Sequence, residues 1–438
     1  MKTNDLEIKY VNPSTLRPSL RNVKKHSKGQ IQKTSEIISQ LGFNEPILAK
    51  PDGEIISGHC RWEAAKLLEL ESIPVMYADL GDVKARLQAL ASNRLGELGK
   101  TDEQLLKIEL EELELACADI DIEIELSGYD SVKLDLIQEQ KEEDPKLNSA
   151  PLIEENDVVS VMGDLWLFPN DHRLYHGDSL KEESFQILFG DKKANLCVQD
   201  PPFNVKVQGH VCGAGETKHK EFAFASGEMN DGEFVDFLTS NFRLCAKYST
   251  DGSLHLNFMD WRHGWHILSA GRAVFSGYVN KCIWDKIVPG TGSLWRSQYE
   301  EIHVFKNGKE SHVNNVLLGS TGRVRSNVWS CYGVNVFGKN KAALKMHPTS
   351  KPEKLLRSAI LDVSNRGDIV LDSFAGSGSC LIACEKAKRV FYGIEYEGLY
   401  VDTIIRRYQQ CFGGDVIHAA SGRKYDELLA EHRAKREG

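Results

Sequence analysis

The sequence lacks the features that mark membrane and exported proteins. No apolar run approaches the roughly 20 residues that a membrane-spanning helix needs. The opening residues, MKTNDLEIKYVNPS, contain neither a basic and apolar export signal nor an arginine-rich leader. We therefore expect a cytoplasmic protein that has no membrane partner.

The ten cysteines form no Cys-x-x-Cys pair, which argues against a zinc ribbon, a redox dithiol and a secreted disulfide framework. Only His210, Cys212 and His219 lie close enough in sequence to resemble a metal-binding set, and their spacing is irregular within a Gly-rich stretch. We expect reduced thiols and no metal site.

The net charge of -9 is unevenly distributed along the chain. Residues 102–144 contain sixteen Asp or Glu and three Lys, a net of -13, so the rest of the chain is positive. Residues 306–357 contain ten Lys or Arg and two Glu, a net of +8. Such a basic segment attracts a phosphate backbone, although a charge run is more often a solvated face.

The pattern of apolar residues predicts three segments. Residues 1–100 alternate short strands with helices: a helix over 31–41, a strand pair around Pro51-Asp52-Gly53, then a helix from His59 and a strand over IPVMYAD. This is a small α+β domain. Residues 101–150 predict an acidic helical linker, with the boundary near 145–151. Residues 151–438 alternate strands and helices, which indicates a doubly wound α/β sheet with ligands at the carboxyl ends of its strands.

The strongest local signal is Asp200-Pro201-Pro202-Phe203, directly after an apolar strand. The two prolines fix the turn and hold a carboxylate, a bare carbonyl and an aromatic face at the end of the strand. These groups suit an exocyclic amino group, because Asp200 and the Pro201 carbonyl can accept its two N–H bonds while Phe203 stacks on the base. A Pro-Pro turn capped by an aspartate is the structural alternative.

A second signal is a strand followed by a Gly-rich turn, IVLDSFAGSGS, over residues 369–379. Gly376 and Gly378 let the backbone approach a ligand, and Glu395 ends the next strand, where a carboxylate can bind ribose hydroxyls. A dinucleotide and an adenosyl ligand both fit such a turn. The absence of a third glycine of the G-x-G-x-x-G type favours the adenosyl ligand.

The order of DPPF before DSFAGSG resembles the beta class of amino-group DNA methyltransferases, which use S-adenosylmethionine. The resemblance covers residues 155–412 and includes His176-Gly177-Asp178, GSLHLNFMDWRH and KPEKLL at 351–356. It implies a Rossmann-like methyltransferase sheet. Residues 8–80 are similar to a ParB-like domain of the ParB/sulfiredoxin type, and ISGHCRWEAAK at 56–66 lies where that superfamily has its Gly-x-x-Arg phosphate-binding signature. His59 and Cys60 replace a charged pair there, which argues against nucleotide hydrolysis and nuclease activity.

The resemblance assigns roles residue by residue. It implies a catalytic, base-binding group and a cofactor-binding group. The catalytic residues are Asp200, Pro201, Pro202 and Phe203; the cofactor-binding residues are Asp178, Asp372, Phe374, Gly376, Gly378, Glu395 and Lys351. Asp178 would bind the adenine amino group or only cap a turn, and Asp372 would bind the cofactor ammonium or only fix its loop. Lys351, with His347 and Thr349, would hold the cofactor carboxylate or a DNA phosphate.

Two segments are candidates for target recognition, 204–230 and 306–345. The first is too long and Gly-rich for an ordinary connection, and the second contains paired arginines that suit guanine edges or phosphates. The predicted DNA-binding residues are Lys206, Lys218, Lys220, Arg323, Arg325 and, in the first domain, Arg61.

The predicted reaction is methylation of adenine N6 in a base flipped out of duplex DNA. In the family that the chain resembles, an aspartate at the first position of the tetrapeptide favours adenine, and serine is more frequent in cytosine N4 enzymes. Cytosine N4 is therefore the first alternative. A ParB-like DNA-binding or nuclease protein with a vestigial methylase half is the second alternative, and methylation of RNA instead of DNA is the third. A homodimer and a cognate restriction endonuclease stay open as partners.

Overall fold

The structure is a computed structural model of the 438-residue chain. It describes residues 7–98, 153, 155–204, 227–290, 294–316, 323, 325–333 and 351–437, with shorter stretches between 101 and 135. Contacts divide the chain into two compact units, Met1–Gln138 and Glu139–Gly438. Among the described helices, none has the length and apolar character that a membrane span requires.

The first unit contains a four-stranded sheet with strand order β1-β4-β2-β3, and residues 7–98 of it also form three α-helices. Its elements are β1 (Ile8–Val11), α1 (Lys28–Leu41), β2 (Ile47–Ala49), β3 (Ile55–Ser57), α2 (His59–Leu67), β4 (Ile73–Tyr77) and α3 (Gly81–Leu98). The sheet is mixed, because β2 pairs in parallel with β4 and antiparallel with β3. Ile47, Ile55, Ile73 and Val75 are buried between the sheet and α2 around Trp62.

The helix predicted over 31–41 and the strand pair around Pro51-Asp52-Gly53 are both present. α1 begins earlier, at Lys28, because the Ser27 side chain accepts a hydrogen bond from the Gln30 N–H and caps the helix. Gly53 has a φ of +85°, and a Cβ there would lie 2.7 Å from the Thr15 carbonyl oxygen. The turn between β2 and β3 therefore requires glycine.

The acidic segment is packed in part. Leu110, Ile124 and Leu134 are buried together, against Leu106 and Tyr129. Contacts place the division of the chain after Gln138, inside the segment that the sequence assigns to a linker.

The second unit contains a ten-stranded sheet with the order β11-β9-β10-β8-β7-β12-β13-β6-β5-β14. Its strands are β5 (Leu165–Leu167), β6 (Arg173–His176), β7 (Ala194–Gln199), β8 (Ser249–Met259), β9 (Gly277–Asp285), β10 (Tyr299–Lys306), β11 (Val328–Ser330), β12 (Ile369–Asp372), β13 (Val390–Glu395) and β14 (Ile417–His418). The helices between and after them are α4 (Glu182–Phe189), α5 (Asp231–Lys247), α6 (Gly264–Val274), α7 (Glu353–Val363), α8 (Ser379–Lys386), α9 (Gly398–Phe412) and α10 (Tyr425–Glu437).

The centre of this sheet is parallel. β8, β7, β12, β13 and β6 pair in parallel in that order, and antiparallel strands flank them on both sides. The central strands are buried on both faces, which explains why they read as continuous apolar runs in the sequence. The predicted doubly wound α/β sheet is confirmed, with antiparallel pairs on both sides of its parallel centre and one further parallel pair, β11 with β9, at an edge.

This topology determines where ligands meet the chain. The carboxyl ends of neighbouring parallel strands lie at one edge of the sheet. The residues that end or follow β7, β12, β13 and β6 therefore come together, although the last residues of β6 and β13 are 219 positions apart in the sequence.

Candidate functional site

Four carboxylates lie at that edge of the sheet. Asp200 follows β7, Asp372 ends β12, Glu395 ends β13, and Asp178 follows β6. All four line one pocket. The other predicted site residues that line it are Pro201, Pro202, Phe203, Lys351, Phe374 and Gly376.

Asp200 presents an acceptor with no partner. Its Oδ1 atom is buried and forms no hydrogen bond with the residues that the structure describes. Phe203 is half-buried two residues beyond Pro201 and, like Phe374, packs against the apolar cluster around Phe234 and Phe237. A buried acceptor without a donor costs free energy, typically about 1–3 kcal/mol, which a ligand that donates an N–H would recover.

The other oxygen of Asp200 is held by Lys351. The Lys351 ammonium lies 2.5 Å from Asp200 Oδ2 and 3.2 Å from Glu300 Oε2, and this side chain is 5% exposed. Lys286 forms a second ion pair with Glu300, since its Nζ lies 2.7 Å from Glu300 Oε1. Lys351 also lies 5.2 Å from the centre of the Phe203 ring. The prediction made Lys351 a ligand of the cofactor or of a DNA phosphate, whereas the structure pairs it with the predicted catalytic acid.

These charges act on Asp200 in opposite directions. Burial raises the pKa of Asp200 to about 6; the Lys351 ammonium opposes this rise, and the Glu300 carboxylate adds to it. The pKa of Lys351 is raised, because attraction to Asp200 and Glu300 outweighs its burial. The lysine is therefore a cation that keeps one carboxylate oxygen fixed and the acid largely ionised near neutral pH.

The Gly-rich turn after β12 is fixed by the carboxylates beside it. The Phe374 N–H donates to Asp372 Oδ1 at 3.0 Å, and the Gly376 N–H donates to Glu395 Oε2 at 2.7 Å. Gly378 is absent from the lining of the pocket; it has a φ of +78° at the start of α8, and a Cβ there would lie 3.0 Å from Ile404. The structure thus explains Gly378 by its backbone conformation and close packing.

The two carboxylates below this turn hold protons readily. Burial raises the pKa of Asp372 to about 8, with the Phe374 N–H opposing and the charges of Asp200 and Glu395 adding to the rise. Burial also raises the pKa of Glu395 to about 7, against the N–H groups of Glu397 and Gly376. A cationic ligand in this pocket would favour their ionised forms.

The contacts of Asp178 are compatible with both of its predicted roles, binding of the adenine amino group and capping of a turn. Its Oδ1 accepts the Leu180 N–H at 2.8 Å, which is the turn-capping contact, and its side chain also lines the pocket. A carboxylate that gives one oxygen to the backbone keeps acceptor capacity for a ligand.

The predicted DNA-binding residues are separated by the structure. Arg323 is 2% exposed, with its Nε 2.8 Å from Asp362 Oδ1, and Arg325 NH1 lies 2.6 Å from Asp362 Oδ2 while its guanidinium stacks on Trp329. These contacts fix the chain before β11 to α7, and such a buried Arg323 is poorly placed to reach a phosphate. Lys206, Lys218 and Lys220, like the His210, Cys212 and His219 set, lie outside the described residues.

In the first unit, Arg61 lies in the first turn of α2. Its guanidinium is paired with Glu45, and burial lowers its pKa. His59 is buried and accepts a hydrogen bond from the Ser19 N–H at 3.3 Å. Arg61 is the more exposed of the two, and its contact with DNA stays a prediction.

Sequence reasoning missed Glu300 and Lys286 as parts of the site. Glu300 is the second residue of β10 and Lys286 follows β9, and the antiparallel pairing of these strands brings them together at the edge where Asp200 lies. The only sequence signal was an acidic pair at the start of an apolar strand, YEEIHVF, which does not identify its partner.

Comparisons with known proteins agree with this division into two units. Residues 194–406 match the DNA methylase family model, and residues 1–94 match the ParB N-terminal domain model. The Type II methyltransferase M.HpaI of Haemophilus parainfluenzae is 25% identical over 239 residues, which are 51% of this chain and 71% of that protein. The ParB-like nuclease domain-containing protein YnaK of Escherichia coli is 39% identical over 71 residues, 16% of this chain and 82% of that protein.

Among solved structures, the cytosine-N4-specific PvuII DNA methyltransferase has a TM-score of 0.42 and 16% identity, covering 60% of this chain and 91% of that one. The family models match the two units that the contacts define, with the Asp200 motif, the Gly-rich turn and Glu395 inside the methylase match. The chain therefore contains a domain of the amino-group (N6/N4) DNA methylase family over residues 194–406 and a ParB N-terminal domain over residues 1–94.

Proposed function

We propose that this protein transfers a methyl group from S-adenosylmethionine to the N6 amino group of adenine in duplex DNA. The observation that carries the proposal is the buried, unpartnered Oδ1 of Asp200, judged among the described residues, next to the Pro201 carbonyl and Phe203. An amino group that donates to both acceptors is held with its lone pair turned away from ring conjugation, ready to attack an electrophilic methyl. The target base must leave the stack to reach this pocket.

S-adenosylmethionine is the cofactor of this family, and it supplies an electrophilic methyl group on a sulfonium. The donor set of the pocket fits it, because two buried carboxylates suit a ligand that carries an ammonium, a sulfonium and a ribose diol. Asp372 would hold the ammonium, Glu395 the ribose hydroxyls and Asp178 the adenine amino group. Phe374 and Gly376 would form the wall beside the methionine portion.

Adenine is favoured over cytosine by Asp200 itself. A carboxylate at the first position of the tetrapeptide is the form that we associate with adenine N6 enzymes, and serine is more frequent in cytosine N4 enzymes. Cytosine N4 methylation on the same scaffold is the alternative. The Type II relatives favour a cognate restriction endonuclease as a partner of this methylase.

The base that is modified can be identified directly. We expect N6-methyladenine after incubation of the protein with unmethylated bacterial genomic DNA and S-adenosylmethionine, digestion to nucleosides and mass spectrometry. N4-methylcytosine would replace the adenine assignment by the alternative. If the cofactor binds but no modified base appears in DNA, the proposed substrate is contradicted. The same incubation with RNA in place of DNA tests the RNA alternative.

Binding of S-adenosylmethionine should strengthen as pH rises. Asp372 and Glu395 have raised pKa values of about 8 and about 7. Asp372 must lose a proton to pair with the ammonium, and Glu395 must lose one to accept hydrogen bonds from the ribose hydroxyls with both oxygens. We expect affinity to increase on the order of tenfold between about pH 6.5 and about pH 8.5, with protons released on binding. Isothermal titration calorimetry in buffers of different ionisation enthalpy measures both quantities.

Asp372→Asn is the control for this pH dependence. Ionisation of the ligand itself is common to both proteins, so the difference between them isolates Asp372. We expect weaker binding in the variant and a flatter dependence on pH. An unchanged slope would show that Asp372 does not titrate with the cofactor.

A further inference from the structure

The loop between β9 and β10, residues 286–298, begins and ends next to Asp200. β8 runs parallel to β7, β10 runs antiparallel to β8, and β9 runs antiparallel to β10. The end of β9 and the start of β10 therefore lie at the same edge as the carboxyl end of β7. Lys286 and Glu300, at the two ends of this loop, are joined through Lys351 to Asp200.

Hydrogen bonds within the loop hold its base in place without a ligand. The Lys286 N–H donates to the Gln298 carbonyl at 2.9 Å, and the Gly290 N–H donates to the Ser297 carbonyl at 2.8 Å. Arg296 donates to the carbonyl oxygens of Gly290 and Pro289 at 3.1 and 2.5 Å. These bonds tie residues 286–290 to 296–298, so little ordering of the base is needed when a partner arrives.

The loop presents two apolar side chains to solvent. Leu294 and Trp295 are 82% and 83% exposed, and among the large apolar side chains of the described residues only Leu20 is more exposed. The loop also contains Lys286 and Arg296 and no acidic residue, which suits a phosphate backbone. Exposed apolar side chains on a positively charged loop whose base is preformed, beside the pocket proposed to bind the base, fit DNA as the partner.

We propose that Leu294 and Trp295 enter the DNA base stack beside the target and fill the gap that the flipped base leaves. This inference rests on the proposed function, since a flipped base is needed only if the substrate is duplex DNA. Apolar wedges of this kind unstack neighbouring base steps, and an indole replaces part of the lost stacking. Trp295 would thus stabilise the opened duplex, and Asp200 would bind the amino group of the extruded base.

The test compares two duplexes with the same methylation site. In one the target adenine is paired; in the other it lies opposite an abasic position, so that its extrusion breaks no base pair. We expect Trp295→Ala to lower kcat/KM on the paired duplex about tenfold to a hundredfold, which is the size of one lost base-aromatic stack. On the unpaired target its activity should stay close to that of the unchanged protein, and its affinity for S-adenosylmethionine should be unaffected. Leu294→Ala should show the same pattern more weakly.

Ile187→Ala is the matched control, because it removes an exposed apolar side chain from α4 instead of the loop, and its activity on both duplexes should be normal. Equal losses of Trp295→Ala on paired and unpaired targets, or no loss on either, would overturn the proposal. A changed sedimentation coefficient with normal methylation would overturn it too, by assigning Trp295 to a protein contact. If the unchanged protein methylates neither duplex, the proposed function fails, and the wedge fails with it.

Discussion

Asp200→Ala is expected to reduce DNA methylation on the order of a thousandfold, because it removes both the proposed acceptor of the target amino group and the ion-pair partner of Lys351. Cofactor binding should persist. The negative charge of Asp200 raises the pKa of Asp372, so its removal should favour ionised Asp372 and slightly tighten S-adenosylmethionine binding near neutral pH. Single-turnover methylation and calorimetry on one preparation measure the two effects.

Two further variants separate chemistry from folding. Asp200→Asn keeps the shape of the side chain and one acceptor oxygen but loses the charge, so we expect activity between those of the unchanged protein and the alanine variant. Asp191→Ala removes an exposed aspartate before β7, near the amino end of the strand that Asp200 follows, and should be fully active. Substantial methylation by Asp200→Ala would remove this residue from the catalytic role.

Much of this site was predictable because its residues end strands. Apolar runs bounded by turn residues predicted β7, β12 and β13, and a parallel sheet brings the residues at their carboxyl ends together. Asp200, Asp372 and Glu395 could thus be placed near one another from the sequence, and they line one pocket. The roles of the individual residues stay proposals.

Contacts that depend on strand order were not predictable. Glu300 and Lys351 are 51 positions apart, and their contact follows from β10 lying antiparallel beside β8, which no local pattern specifies. For the same reason Arg323 read as an exposed basic residue, although Asp362 on α7 holds it in a buried pair. β11, with only three residues, is too short for periodicity to reveal.

The lysine beside Asp200 gives the second large effect that we expect. Lys351→Met removes the cation that favours ionised Asp200 and leaves Glu300 nearby, with Asp372 as a further carboxylate in the pocket. The pKa of Asp200, now about 6, should rise, typically by about one to three units when an opposite charge is lost. Activity near pH 7 should fall about tenfold or more, since a protonated acid is a weaker acceptor.

The pH profile distinguishes this role from a structural one. With saturating cofactor, the acidic limb of kcat/KM for Lys351→Met should move to higher pH, so that alkaline buffer restores much of the activity. Glu300→Gln removes a carboxylate that raises the pKa of Asp200, and its limb should move to lower pH. Lys354→Met, which alters an exposed lysine on α7, should leave the profile unchanged.

Opposite shifts for the lysine and glutamate variants would follow only if both act through the charge of Asp200. A loss in Lys351→Met that is equal at every pH would instead mean that the lysine supports the local packing around Phe203 and Phe258, whose rings it also contacts. If the KM for S-adenosylmethionine rises strongly and the acidic limb of the kcat/KM profile stays at the same pH, Lys351 instead binds the cofactor, as the family resemblance implied. The three outcomes differ in which parameter changes, so one set of profiles assigns the residue.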